Sequence, residues 1–307
     1  QSFLERKARE RSVPDDWVYV NNFEDQYSPR AISLPSGGGC QFRNDMDELI
    51  KNLRDEIPRA FESEEYAQHQ TRIIRALEEK RTEAFQGMEA YASEQGFALG
   101  RVATGLVIVP KVKDKVLSPE EYEQLDEETR KGFEERRPIV QEELEKAMRQ
   151  IREIEKEAKS KLRNLDQEIA AFTIGHFFEA LKEKYTDNEE LVNHLEAMRQ
   201  DIIQKVDLFK SGPEKPEEEE AGKGRPTPSP ILSQFASPFD RYRVNVIVDH
   251  SQTKGAPVVV ETNPTYYNLI GRIEHKAEFG ALVTDFSMIK GGALHQANGG
   301  FLIADAK

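Results

Sequence analysis

The chain has 307 residues, of which 37% are hydrophobic and 32% charged, and a formal net charge of −13. This length allows one or two domains, and the excess of charge suits long solvated helices. The acidity argues against nucleic-acid binding, which normally needs a basic surface. No apolar stretch approaches the roughly 20 residues of a membrane span. With Cys40 as the only cysteine, no intramolecular disulfide can form, so we expect a cytoplasmic protein without membrane contact.

Residues 1–40 predict a helix end, a strand and a loop. The segment Trp17-Val-Tyr-Val-Asn-Asn22 is rich in β-forming residues and follows a Pro-Asp-Asp turn signal. Gly37-Gly-Gly39 predicts a mobile loop, because a phosphate-binding nest would need a lysine and a directly following helix. We expect the next helix to begin only at a cap formed by Asn44 or Asp45.

Residues 41–210 predict a large helical insertion with one small β-hairpin. Ser63 begins a long helix, residues 97–117 form the hairpin, and Ser118 caps the helix after it. The longest helix is predicted over 139–172, where apolar residues recur in steps of four and three. This spacing is typical of a coiled-coil seam, and the Ser63 helix is its natural antiparallel partner. The predicted seam consists of Val140, Leu144, Ala147, Ile151, Ile154, Ala158, Leu162, Leu165, Ile169 and Phe172.

Shorter helices over 174–184 and 188–209 complete the predicted helical region. Residues 211–240 are rich in proline and glutamate, so they cannot bury enough apolar area to become ordered. We therefore predict a flexible, acidic linker there. Strands are expected beyond it at 242–248 and 258–261.

Residues 241–307 carry the most specific pattern in the chain. Phe301-Leu-Ile-Ala304 predicts a buried strand that ends at Asp305. A carboxylate at the end of such a strand is the arrangement that a nucleotide-bound Mg²⁺ needs. The segments Asn268-Leu-Ile-Gly-Arg-Ile-Glu274 and Gly292-Ala-Leu-His-Gln-Ala-Asn-Gly-Gly300 precede this strand.

Together with Gly280-Ala-Leu-Val-Thr-Asp285, these segments resemble the ATPase module of Lon-related proteases, in the LonB-like branch of the AAA+ superfamily. Val13-Pro-Asp-Asp-Trp-Val-Tyr-Val-Asn-Asn-Phe23 and Leu34-Pro-Ser-Gly-Gly-Gly39 resemble the second core strand and the following loop of the same proteins. The resemblance implies an α/β fold, in which a partial AAA+ P-loop-type core at 1–40 and 241–307 carries the mostly α-helical coiled-coil insertion. No Gly-x-x-x-x-Gly-Lys-Ser/Thr phosphate loop occurs. We therefore interpret the chain as a fragment between Walker A and Walker B, without the Ser–Lys peptidase domain.

The same resemblance makes Asp305 the nucleotide- and Mg²⁺-binding residue and leaves no catalytic residue in the fragment. The alternative is an aspartate that only caps a turn. Ala306 stands where hydrolytic AAA+ proteins usually carry a glutamate that activates water, and a methyl group cannot accept a proton. ATP and Mg²⁺ are implied as cofactors of the intact protein. We expect the fragment alone to bind neither, and the sequence leaves open whether ATP is hydrolysed.

Residues 279–292 lie where AAA+ rings place the loop that faces the central pore. Phe279, Phe286 and Met288 are the candidate residues that grip an unfolded chain, and the flanking glycines would let the loop move. The alternative is a β-hairpin that packs these side chains into the core. No metal other than Mg²⁺ is predicted, because the histidines lack a third ligand at metal-site spacing.

Two functions follow from these patterns. The first is the AAA+ module of a Lon-like, ATP-dependent serine endopeptidase. Such a module would work in a homo-oligomeric, hexameric ring that delivers unfolded or damaged proteins to a downstream Ser–Lys peptidase. The second is a non-catalytic scaffold or substrate-recognition module on a degenerate AAA+ core, which Ala306 and the missing phosphate loop favour. The sequence does not indicate what the helical insertion contacts.

Overall fold

The computed structural model describes residues 2–25, 27–102, 105–112, 115–210, 239–278 and 281–305. The chain divides into two compact units, one of Gln1–Phe61 with Ile169–Lys307 and one of Glu62–Glu168. Of the predicted linker at 211–240, only residues 239 and 240 are described.

The elements follow the predicted order of strands, helices and strands. In chain order they are α1 (Ser2–Arg9), β1 (Asp16–Val20), β2 (Arg30–Leu34), α2 (Gly38–Phe61), α3 (Glu64–Glu94), β3 (Phe97–Val102), β4 (Gly105–Val112), β5 (Lys115–Val116), α4 (Pro119–Glu123), α5 (Glu127–Lys184), α6 (Glu189–Gln204), α7 (Asp207–Lys210), a 3₁₀ turn (Asp240–Tyr242), β6 (Val244–Val248), β7 (Val258–Glu261), α8 (Tyr266–Ile270), β8 (Gly271–Ile273), β9 (Lys276–Glu278), β10 (Ala281–Val283), a second 3₁₀ turn (Phe286–Met288), β11 (Ile289–Gly291), α9 (Ala293–Gln296) and β12 (Phe301–Ala304).

Three antiparallel strands in the order β2–β1–β6 form the main sheet of the first unit. Val18 and Val20 of β1 are buried and alternate with the more exposed Trp17 and Tyr19, as the two-residue period of a strand requires. The buried face shares a hydrophobic core with α2, α6 and the end of α5. β1 is paired antiparallel on both sides within this sheet, and its predicted place in the AAA+ core stays a prediction.

Three two-stranded pairs follow β6. β7 and β12 are parallel, whereas β8–β11 and β9–β10 are antiparallel. Helix α1 packs on the parallel pair, because the Ala256 amide donates to Ala8 O at 2.9 Å and the Arg11 guanidinium lies 4.7 Å from the centre of the Phe301 ring. β12 was predicted to be buried but is only half-buried. Within the described part of the chain it has a neighbouring strand, β7, on one edge only.

The second unit consists of two long helices and a small sheet. Tyr66 Oη, near the start of α3, donates to Asp166 Oδ1 of α5 at 2.7 Å. Met88, near the end of α3, instead shares a core with Leu144 of α5, so the two helices run antiparallel as predicted. The predicted β-hairpin is confirmed and extends to three antiparallel strands, β3–β4–β5.

Local capping signals predicted two helix starts correctly. The hydroxyl of Ser63 accepts the amide of Tyr66 at 3.3 Å, at the first turn of α3. Ser118 and Glu121 form a reciprocal capping box at the start of α4, with hydrogen bonds of 3.2 and 3.0 Å. Both signals involve residues three apart, so the local sequence contains the whole interaction.

Helix α5 differs from its prediction in length and in one seam residue. A single helix from Glu127 to Lys184 replaces the two predicted over 139–172 and 174–184. Phe172, predicted on the seam, is 88% exposed. The reason is that α3 begins at Glu64 and contacts α5 already at Asp166, so Phe172 lies beyond the start of its predicted partner.

A histidine is buried inside the core of the first unit. His194 of α6 is 3% exposed, and its ring stacks on Phe23 with 5.6 Å between ring centroids. Burial, with a smaller contribution from the positive charge of Arg30, lowers the pKa of His194 to about 4. The ring is therefore neutral in the folded protein at neutral pH.

We expect the free energy of unfolding to fall as the pH drops from 6.5 to about 4, because the unfolded chain binds a proton at His194 that the folded chain excludes. Above pH 6.5 the ring is neutral in both states, so this term vanishes. The full loss is about 3 kcal/mol, and urea titrations at pH 7 and pH 4.5 measure most of it. His194→Phe should flatten the dependence in this window, whereas His69→Phe, at an exposed position, should retain it. The same dependence in His194→Phe as in the parent chain would contradict this assignment.

Candidate functional site

The carboxyl ends of β7 and β12 meet at one edge of the parallel pair. Their register places Ala304 opposite Glu261, and Asp305 follows directly. Asp305 is exposed, and Glu261 Oε1 accepts the amide of Asn263 at 2.8 Å. Two acidic residues are thus brought to the edge where parallel sheets commonly bind ligands. Sequence reasoning found Asp305 but not Glu261, because the register of the two strands was unknown.

This edge fits part of a magnesium nucleotide site. Mg²⁺ typically takes one or two carboxylates and completes its shell with phosphate oxygens and water. No group of three or more His, Cys, Asp or Glu side chains suited to hold a metal occurs among the described residues. Asp305 would therefore supply only part of such a shell. Ala306 lies outside the described residues.

Three glycines near this edge allow backbone segments to pack closely against one another. Gly271 has φ +104°, and a Cβ there would lie 2.2 Å from Lys290 O. A Cβ at Gly292 would lie 2.4 Å from Leu269 O, and one at Gly300 only 2.1 Å from Pro257 O. Glycine near 291–292 was predicted to give the loop freedom to move. The structure shows instead that it allows close contact between backbone segments.

The candidate pore-loop residues are not equivalent in the structure. Phe286 is buried at 9% exposure and Met288 is half-buried. Phe286 is therefore packed, as the alternative interpretation expects for it, whereas its predicted pore-loop role stays a prediction. Phe279 lies outside the described residues. Leu282 on β10 is 72% exposed, and sequence reasoning missed it because nothing local separates it from neighbouring apolar residues.

A second polar centre lies at the start of α2. The buried carboxylate of Asp16, at the start of β1, accepts the amides of Gly37 at 2.9 Å and Gly39 at 3.0 Å through Oδ2. Its Oδ1 accepts the amide of His250, just after β6, at 2.7 Å. A negative charge at the N-terminus of a helix is favourable, and the 24-residue α2 has no acidic residue in its own first turn.

The prediction for this loop was wrong in two respects. Helix α2 begins at Gly38 rather than at Asn44 or Asp45, so Gly38 and Gly39 form its first turn instead of a mobile loop. Asp45 instead accepts Nζ of Lys184 at 2.6 Å, within the first unit. The capping residue was missed because Asp16 is far from α2 in sequence: it lies at the start of β1, and β2 comes between it and the helix.

The glycine loop does not fit a nucleotide phosphate in this arrangement. The amides of Gly37 and Gly39, which a phosphate would need, already bind the Asp16 carboxylate. The described residues thus offer carboxylates for Mg²⁺ at one edge but no free glycine-loop cradle for phosphates at the start of α2.

Comparison with known families identifies two parts of the chain. Residues 254–307 match the LonB-like AAA domain, and residues 16–49 match the Lon-like LonC helical domain. A search of curated proteins gave no match. The first match covers β7 to β12 with the Asp305 edge, and the second covers β1, β2 and the start of α2.

The first unit has a mixed α/β fold, and its parallel strand pair β7–β12 ends next to acidic residues. With both matches, the chain is a relative of the Lon-type AAA+ proteases. The second match is named for a helical domain, whereas 1–40 was predicted to be AAA+ core, so that boundary stays a prediction. Among the described helices, none combines the length and apolar character that crossing a membrane demands.

Proposed function

We propose that this chain forms part of the AAA+ module of a Lon-type, ATP-dependent serine protease and contacts unfolded polypeptide on its way to a Ser–Lys peptidase domain. The observation that carries the proposal is the match of residues 254–307 to the LonB-like AAA domain, because this segment contains an exposed hairpin. The intact protein would use ATP and Mg²⁺ in a homo-oligomeric, hexameric ring.

The hairpin β9–β10 is the element best suited to touch a substrate. Leu282 exposes 72% of its surface, although Phe286 at the base of the same segment is buried. An apolar side chain on an exposed hairpin can bind unfolded chains without sequence preference, since burial of apolar area is not directional. We therefore assign the substrate-gripping role to Leu282 rather than to the buried Phe286. Met288, which is half-buried, stays a secondary candidate.

Asp305 is the residue that we propose contacts the magnesium ion of bound ATP, with Glu261 beside it at the strand ends. A metal held there would stabilise the charge that develops on the transferred phosphate. In that role, the exposed carboxylate of Asp305 would orient the metal. With Ala306 after Asp305, a general base would have to come from another residue.

A non-catalytic scaffold or substrate-recognition module is the second candidate. Two observations favour it. The sequence carries Ala306 in place of a water-activating residue, and the amides of Gly37 and Gly39 at the start of α2 bind Asp16. In this case the two units would serve protein contacts, and nucleotide would not be turned over.

Replacement of Leu282 by Ala tests the substrate-contacting hairpin. We expect the KM of the full protein for a denatured polypeptide to rise by about fivefold, because roughly 1 kcal/mol of apolar contact is lost, while kcat changes little. Ile139→Ala is the matched control, since Ile139 is also exposed (55%) but lies on α5. An equal KM in Leu282→Ala and the parent protein would refute the assignment of Leu282.

Replacement of Asp305 by Asn separates the two candidate functions. If Asp305 holds Mg²⁺, ATP turnover by the full protein should fall by about tenfold or more, because loss of a charged metal ligand weakens both binding and charge stabilisation. The exposed Asp15, on the strand-β1 side of the chain, provides the control Asp15→Asn. Turnover that is the same in Asp305→Asn and Asp15→Asn would remove Asp305 from the site, and no turnover in the parent protein would favour the scaffold.

A further inference from the structure

Asn245 occupies an unusual position on β6. Its side chain is 9% exposed and is opposite Tyr19 of β1 in the strand register. Its amide Nδ2 donates two hydrogen bonds, one to Phe286 O at 2.8 Å and one to Ile289 O at 2.8 Å. Both hydrogens of the amide are therefore used, and both acceptors are backbone carbonyls.

The two carbonyls bracket the 3₁₀ turn Phe286–Met288, which directly follows the hairpin β9–β10. The turn is also fixed from within, because Asp285 Oδ1 accepts the amide of Ser287 at 2.7 Å. The neighbouring strand β8 is joined to it, since the amide of Glu274 donates to Met288 O at 2.9 Å. Asn245 is thus the side chain that attaches this turn to the main sheet.

Thr284 provides a further link at the same place. Its hydroxyl donates to Glu274 O at 2.9 Å, and this bond joins the two segments that leave and enter the hairpin. On the sheet side, a Cβ at Gly291 would lie 2.8 Å from Ile247 Cγ2, so β11 is in close contact with β6. The base of the hairpin is therefore fixed by the Thr284 hydrogen bond within the segment and by close packing of β11 on β6. The Asn245 amide adds the hydrogen bonds that join it to the sheet.

We propose that Asn245 is a positioning residue: by clamping the carbonyls of Phe286 and Ile289, it fixes the base of hairpin β9–β10 against the sheet β2–β1–β6. This inference rests on the proposed function in one respect: the position of Leu282, which the clamp helps to fix, matters only if the hairpin contacts substrate. The attachment of the turn to the sheet does not depend on that function. Loss of the amide removes the side-chain donor from both carbonyls, and Phe286 O then keeps only the amide of Ile289 within the turn, so the turn is no longer tied to the sheet by this side chain.

Hydrogen–deuterium exchange on the 307-residue chain tests the clamp without any substrate. In Asn245→Ala, peptides covering residues 271–291 should exchange about tenfold faster or more, as loss of two hydrogen bonds to buried carbonyls implies. Peptides covering β1 and β2 should keep their rates. Asn268→Ala is the matched control, because Asn268 also donates its amide to a backbone carbonyl, Asn263 O at 2.9 Å, but lies outside the turn.

Asn245→Asp provides a second variant that keeps the side-chain volume but reverses the hydrogen-bonding role. An ionised carboxylate only accepts hydrogen bonds, so it repels the two carbonyls. At pH 7, exchange over 271–291 should therefore be at least as fast in Asn245→Asp as in Asn245→Ala. If Asn245 acted only by filling space, the nearly isosteric Asn245→Asp would exchange like the parent chain.

Two results would overturn the clamp. One is exchange in Asn245→Ala that matches Asn268→Ala over 271–291. The other is an equal acceleration of β1 and β2, which would signal general destabilisation. Accelerated exchange over 271–291 together with an unchanged KM in Leu282→Ala would instead support the clamp and refute the substrate-contacting role of the hairpin, so the two proposals fail separately.

Discussion

The carboxylate of Asp16 satisfies three backbone amides from two distant parts of the chain, those of Gly37, Gly39 and His250. Burial of a charge is costly, and here three amide donors and the N-terminus of α2 offset that cost. A Cβ at Gly39 would lie 3.1 Å from Asp16 Cβ, so a side chain there would push on the residue that holds the amides. Asp16 thereby joins the start of β1, the first turn of α2 and the residues just after β6. His250, the last of these contacts, lies four residues before the segment that matches the LonB-like AAA domain.

Interactions between residues close in sequence were predictable, and so was the antiparallel pairing of α3 with α5, which the spacing of apolar residues indicated; contacts between single polar residues far apart in sequence were not. The caps at Ser63 and Ser118 use partners three residues away, and both helix starts were correct. Asp16 follows the two-residue period of the buried Val18 and Val20, so the sequence does signal a buried acid that needs donors. Its partners are Gly37 and Gly39 at the start of α2 and His250 after the helical region. No local sequence pattern specifies these contacts. For the same reason, the start of α2 was predicted too late in the sequence, and Glu261 was not predicted to lie at the same sheet edge as Asp305.

For function, the decisive difference lies between apolar residues that the sequence alone treats alike. Phe286 and Leu282 both stand in the segment predicted to line a pore, yet one is 9% and the other 72% exposed. Asn245 explains part of this contrast, since it holds the backbone around Phe286 to the sheet. The proposed function therefore combines a fixed segment around Phe286 with an exposed apolar side chain, Leu282. The glycine loop that binds Asp16 does not supply the phosphate contacts that a nucleotide at the Asp305 edge would need.

The joining role of Asp16 can be measured by chemical denaturation of two neighbouring variants. Asp16→Asn should lower the free energy of unfolding of the first unit by about 2–4 kcal/mol, because the amide cannot accept all three bonds and removes the charge at α2. Asp15→Asn, which alters only an exposed acceptor for the Ser33 hydroxyl at 2.9 Å, should cost less than about 1 kcal/mol. Equal losses in the two variants would contradict the role assigned to Asp16.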